Sequence, residues 1–106
     1  MDFEKPSINN FTIYSKSGCI NCRKLKDYLK KNNIEYEVIE CDDYLLENKE
    51  NFLLFIKNYS KVEWKIFPMV FFDTNFIGSF NETIQFLEEK IKATEKENLD
   101  FTNDNF

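Results

Sequence analysis

Cys19 and Cys22, separated by Ile20 and Asn21, are the residues whose type and spacing could do chemistry. They follow a Ser17-Gly18 break and open a stretch in which Cys22, Leu25 and Leu29 form one stripe with Lys and Arg opposite, the pattern of an amphipathic helix. The first turn of a helix carries backbone N–H groups without intrahelical partners, and the helix dipole strengthens their preference for an anion. A thiolate at Cys19 is favoured there, its pKa drawn from about 8.5 into a range of about 3.5–7.5. Lys16, three residues upstream, adds a further positive charge. Cys22 lies one turn on, where it could attack a mixed disulfide formed at Cys19. An exposed, low-pKa attacker with a resolving thiol behind it has the parts for thiol–disulfide exchange.

Two other readings of the pair stand beside this one. It could be half of a zinc site, but a four-coordinate zinc needs further soft ligands, and the chain offers only Cys41 and no histidine. It could be a structural disulfide, although a bridge between turns of one helix constrains little and a reducing compartment would open it. The sequence context favours redox chemistry, because CxxC beside a strand–helix–strand pattern in a cytosolic chain is a redox signature. Cys41, at the end of the second expected strand, is read as a small buried hydrophobe, with a regulatory or second redox role as the alternative.

The elements that must position these residues are brief. Phe11–Tyr14 reads as a strand, Ile20–Lys31 as a helix stopped by Asn32-Asn33, and Ile34–Glu40 as a second strand. Leu45–Tyr59 carries apolar residues at helical spacing, but Leu53, Leu54 and Phe55 widen the face, which predicts a helix covered on more than one side. Met69–Phe72 and Phe76-Ile77, with Asp73-Thr74-Asn75 as the turn, predict a hairpin that ends at Gly78-Ser79. Asn81 then reads as the N-cap of a last helix whose inner face is Ile84, Leu87 and Ile91. The fold class is α/β: a four-stranded mixed sheet flanked by three helices, in the order β-α-β-α-β-β-α. Residues 1–10 read as a short N-terminal extension, 11–93 as the domain, and 94–106 as a polar, frayed or disordered tail.

With 106 residues, 2 Gly, 2 Pro and no linker or repeat, the chain fits one domain, and a 42% hydrophobic content with 12 Phe suffices for its core. The net charge of −5 disfavours nucleic acid and anionic membrane surfaces. The absence of His excludes imidazole bases and His-dependent triads. The first ten residues contain no apolar stretch that could act as a signal core, and the longest apolar run, Ile66 to Phe72, is short and interrupted by Pro68. These features predict a soluble, cytoplasmic protein.

The ordered set Lys16-Ser17-Gly18-Cys19-Ile20-Asn21-Cys22-Arg23, Lys65-Ile66-Phe67-Pro68 and Ile77-Gly78-Ser79-Phe80-Asn81-Glu82 resembles the glutaredoxin family over roughly residues 11–93. Thioredoxin proper usually carries Trp immediately before its motif, whereas Gly18 stands there and the single Trp is Trp64. The resemblance implies a thioredoxin-like fold, with glutathione as cosubstrate and no tightly bound cofactor or metal. It makes Cys19 the nucleophile and Cys22 the resolving thiol. It makes Lys16 and Lys65 attractors of the glutathione carboxylates, and Phe67 a backbone partner of the tripeptide beside a cis Pro68. Asn21, Gly78, Phe80 and Asn81 complete the implied glutathione site, the N–H groups of Phe80 and Asn81 meeting the γ-glutamyl carboxylate. The implied partners are glutathione and disulfide-containing or glutathionylated proteins, met by a monomer. The implied function is glutathione-dependent reduction of protein disulfides or glutathione mixed disulfides. Two alternatives remain: an iron–sulfur module sharing a cluster through Cys19 and glutathione, and a redox adaptor for one dedicated partner.

Overall fold

β1 (Phe11–Ser15) is buried along its whole length, because it runs through the middle of a sheet with apolar layers on both faces. In the computed structural model described here, which covers residues 2–104 with side chains to Lys92, the chain continues through α1 (Ile20–Lys31) and β2 (Tyr36–Glu40). It then forms α2 (Asp42–Ser60), β3 (Met69–Phe72), β4 (Asn75–Gly78) and α3 (Phe80–Asp104). The predicted order of elements is the one that forms. The sheet order is β2-β1-β3-β4, with β1 parallel to β2 and antiparallel to β3, and β3 antiparallel to β4. The tail expected over 94–106 falls on residues whose side chains, and at the very end whose backbone, lie outside the described residues.

Alternation along β1 sorts the core into two layers. Phe11 and Ile13 point to one face, where they meet Val70 of β3, Leu25 and Leu29 of α1, and Leu87 of α3. Tyr14 points to the other face, with Met69, Phe71, Ile39, Phe52 and Ile56 of α2, and all three cysteines. The short hairpin between β3 and β4 has two loop residues, Asp73 (φ 50°) and Thr74 (φ 66°), both left-handed as the tight type I′ turn demands. Asn75, expected in the turn, therefore belongs to β4.

Several boundaries differ from the sequence reading. β2 begins at Tyr36, and Ile34 instead fills the space below α1 as a partly buried side chain. α2 starts three residues before the first apolar signal, at Asp42-Asp43, where two acids complement the helix dipole, and it kinks at Asn48 (φ −154°, ψ 50°). Its wide apolar face is covered in part: Phe52 and Ile56 are buried and Leu53 and Phe55 pack against the core, while Leu54 is 58% exposed. Asn81 is not the N-cap of α3. The Ser79 carbonyl accepts the first helical bond, from Thr83 N–H at 3.0 Å, and Asn81 lies inside the first turn. Leu87 is buried and Ile84 packs against the core as expected, joined by buried Thr83, whereas Ile91 is exposed.

The N-terminal extension is part of the packing. Phe3 lies among Tyr44, Phe52 and Phe55, with ring centroids 4.9, 5.5 and 5.3 Å away. The Tyr14 hydroxyl donates to the Glu4 carbonyl at 2.6 Å, and Glu4 N–H donates to the Tyr44 hydroxyl at 3.3 Å. Ser7 N–H reaches Thr12 Oγ1 at 2.8 Å, and the Ser7 hydroxyl donates to Glu37. The segment is thus a strap that closes α2 onto the sheet. Burial against this strap and α2 keeps the Tyr14 phenol protonated far above its ordinary range. Phe3→Ala is expected to lower the unfolding free energy by about 1–3 kcal/mol. An unchanged urea midpoint would show that the strap contributes nothing.

Candidate functional site

At the C-terminal end of β1 the chain leaves the sheet through Lys16, Ser17 and Gly18, all exposed. Gly18 has φ +72°, a left-handed turn that glycine takes without the Cβ clash. The loop is tied to the start of α2. Asp42 Oδ1 accepts the Ser17 N–H at 3.0 Å and Oδ2 accepts its hydroxyl at 2.8 Å, while Cys41 N–H donates to the Ser15 carbonyl at 2.8 Å.

The turn delivers Cys19 to the N-cap of α1, with extended backbone (φ −96°, ψ 106°). Its Sγ accepts the Cys22 N–H at 3.1 Å, and its carbonyl accepts Arg23 N–H at 3.3 Å. A sulfur in this position does what Ser or Asp oxygen usually does at a cap, so a negative charge on it is met by an N–H donor and the helix dipole. Cys19 and Cys22 are disulfide-paired, with their Cα atoms 5.3 Å apart. Cys19 is half-buried and Cys22 fully buried, which puts one sulfur within reach of a partner and the other behind it. Among the described residues there is no group of three or more His, Cys, Asp or Glu side chains placed to hold a metal ion.

Cys41 packs in the same apolar cluster. Its thiol donates to the Ile39 carbonyl at 3.4 Å, and burial pushes its pKa up to about 12. A thiol that stays protonated at neutral pH is a packing group, and the structure places Cys41 as the small buried hydrophobe the sequence predicted.

Around the pair the structure gathers most of the residues singled out from sequence. The Phe67–Pro68 peptide is cis, and both side chains are buried, Phe67 stacking on Phe52 at 6.5 Å. The Lys16 ammonium sits 5.3 Å from the centroid of the Phe67 ring. A depression of about 140 Å³ is lined by Asn21 of α1 and by Ser79, Phe80 and Asn81 at the start of α3. Lys65 is not on its wall; it lines a neighbouring groove beside α2. Gly78 (φ +133°) has Glu82 folded over it, so close that a Cβ would lie 2.6 Å from the Glu82 Cβ.

Four residues complete this depression without having been assigned to it from sequence: Trp64, Ile66, Ser79 and Glu82. Glu82 Oε1 accepts the Ser79 N–H at 2.9 Å, one half of a capping box, whereas the Ser79 hydroxyl is buried and has no partner. Ser79-Phe80-Asn81-Glu82 has the S-x-x-E spacing of that motif, and this was the signal that could have located the cap. Trp64 carried no comparable local signal.

The Ser17 bonds hold the Asp42 carboxyl below its ordinary value of 3.8, the backbone N–H contributing most, with Lys16 helping. A lowered folded-state pKa means that the tie is fully present above that ordinary value and is lost as pH falls through the lower one. The Ser17 amide resonance is expected to titrate with a midpoint below 3.8 and to lose this transition in Asp42→Asn. A midpoint at or above 3.8 would remove Asp42 as the anchor of the loop.

Comparison with known proteins agrees with this geometry. The Glutaredoxin family model matches residues 11–77. Glutaredoxin 1 of Rickettsia conorii is 31% identical over 74 residues, which are 70% of this chain and 68% of the relative. Among solved structures, glutaredoxin 1 from Francisella tularensis, complexed with cacodylate, superposes with a TM-score of 0.67 at 24% identity, covering 78% of this chain and 96% of its own. The buckwheat glutaredoxin–glutathione complex gives 0.63 at 18% identity, covering 77% and 71%. Those likenesses fix the thioredoxin-like fold. By sequence, then, and by the sheet on which its cysteine pair is mounted, this chain belongs to the glutaredoxin family, whose members are thiol–disulfide oxidoreductases.

Proposed function

We propose that the chain reduces glutathione mixed disulfides and protein disulfides with glutathione as the electron donor, Cys19 acting as nucleophile and Cys22 as resolving thiol. The observation that carries this reading is the Cys19 sulfur at the N-cap of α1, 3.1 Å from the Cys22 N–H, with Cys22 buried behind it. The Cys19 thiolate attacks the glutathionyl sulfur of a mixed disulfide. A bond forms between Cys19 and glutathione, and the substrate thiolate leaves. A second glutathione thiolate then attacks that bond, giving glutathione disulfide and restoring the Cys19 thiolate. With a protein disulfide, Cys22 attacks the mixed disulfide instead, and the resulting Cys19–Cys22 bond is reopened by two glutathione molecules.

The surroundings suit a peptide with two carboxylates and one ammonium. Ser79, Phe80 and Asn81 line the depression, and the first N–H groups of α3 at Phe80 and Asn81 are a donor set for the γ-glutamyl carboxylate. Glu82 and the Asn21 and Asn81 amides offer acceptors for the ammonium. Lys16 and Lys65, both exposed, draw the carboxylates in. Phe67, at the cis bond, offers its backbone N–H and carbonyl to the cysteinyl unit, and Gly78 leaves Glu82 the space to fold back. The buckwheat relative of similar fold is seen with glutathione, which supports the same cosubstrate here.

Steady-state turnover of a small glutathionylated disulfide, with glutathione varied, tests nucleophile and cosubstrate together. Cys19→Ser is expected to fall to the buffer rate, whereas Cys22→Ser keeps this activity and loses reduction of protein disulfides. Retained turnover in Cys19→Ser contradicts the assignment. Lys16→Glu and Lys65→Glu are each expected to raise the KM for glutathione about 2- to 5-fold with kcat unchanged, the scale of exposed ion pairs. No change at either position would take the lysines out of the site.

A further inference from the structure

Trp64 is a wall with a cavity on each side. One side closes the depression beside the cysteine pair. The other bounds a groove of about 300 Å³ floored by Leu53 and Leu54 of α2. The wall is fixed: Trp64 Nε1 donates to the Ile66 carbonyl at 3.0 Å, and the indole packs edge-on against Phe76 at 5.1 Å. Leu54 is 58% exposed and Ile66 is 60% exposed, so large apolar side chains lie in water on either side of Trp64. At the lips, Lys57 and Glu63 form an ion pair with N···O 3.8 Å, and Glu50 and Lys65 stand opposite in sign. The charges balance, so nothing there selects an ionic ligand. The volume is at the lower end of the range of about 300–1,000 Å³ for ligand sites, room for one or two side chains.

We propose that this groove receives an apolar side chain of the disulfide-bearing protein, from a residue close in sequence to the cysteine that Cys19 attacks. The inference rests on the proposed oxidoreductase reading and names its substrate class: disulfides flanked by Leu, Ile, Val or Phe. The argument for this occupant is continuity. Trp64 faces both cavities, so an extended segment held at the thiol passes this wall, advancing about 3.3 Å per residue. Neutral lips and an apolar floor then discriminate by side-chain hydrophobicity.

Two short peptides, each joined to glutathione through its cysteine, test this. One carries Leu at the second to fourth positions beyond the cysteine, the other Ser. The Leu peptide is expected to show a kcat/KM about 5- to 10-fold higher. Leu54→Glu, and Leu54→Gln as a milder second variant, are expected to abolish that advantage while turnover of the small glutathionylated disulfide stays unchanged. Because Trp64 is the chain's single tryptophan, its emission reports on the groove directly. It is expected to shift when a Cys→Ser version of the Leu peptide is added to Cys19→Ser protein. Equal rates for the two peptides overturn the proposal, as does an advantage that survives in both Leu54 variants. An emission shift with octanoate but not with the Leu peptide assigns the groove to small amphiphiles, and a wild-type dimer lost in Leu54→Glu assigns it to a second copy; either overturns the proposal. If no disulfide is reduced at all, the oxidoreductase reading fails and the emission titration decides the groove by itself.

Discussion

A sulfur atom caps α1. Cys19 occupies the position where a helix calls for a side-chain acceptor, and its Sγ takes the Cys22 N–H at 3.1 Å. That contact joins structure to chemistry, because the group that satisfies the helix end is also the one proposed to carry negative charge. An oxygen there would cap the helix as well but would have no redox chemistry. A cysteine buried in the core has the thiol but loses more to desolvation than a hydrogen-bond donor returns. Cys41 illustrates the contrast: it begins α2 with no side-chain cap bond, and burial pushes it up to about 12.

Holding the capped sulfur at the rim requires a rigid strand beneath it. β1 is buried on both faces, with Phe11 and Ile13 in one layer and Tyr14 in the other. The strand therefore ends at a defined place, and the exposed turn beyond it is tied to α2 by the Asp42 carboxylate. α2 is itself pressed to the sheet by the N-terminal strap through Phe3. The position of the pair thus depends on contacts from α2 and the N-terminal strap and not on the CxxC segment alone.

On the other side of the pair, α3 begins with an incomplete exchange. Glu82 returns to the Ser79 N–H, but the Ser79 hydroxyl gives nothing back. A buried hydroxyl without a partner is costly, on the order of 1–3 kcal/mol. Trp64 lines both this mixed polar and apolar depression and the more apolar groove along α2, so two cavities share one side chain.

Local sequence determined a good deal. The Cys19-x-x-Cys22 spacing and the Cys22/Leu25/Leu29 stripe wrote the helix, the cap and the chemistry, because those interactions join residues three or four apart. The Asp73-Thr74 hairpin and the Asn32-Asn33 stop were legible for the same reason. The Ser79/Glu82 cap was equally local, and Asn81 displaced it only because an Asn draws attention as a cap. What the fold alone decided lies at long range. Phe3 is an isolated aromatic in a polar segment, and no periodicity announces that it meets Phe52, 49 residues away. The apolar width of α2 read as double burial, yet only the placement of the Trp64-Lys65 segment settled that Leu54 faces an open groove. Spacing along the chain records what neighbouring residues do to each other; which surfaces remain uncovered depends on elements that meet only after the chain has closed on itself.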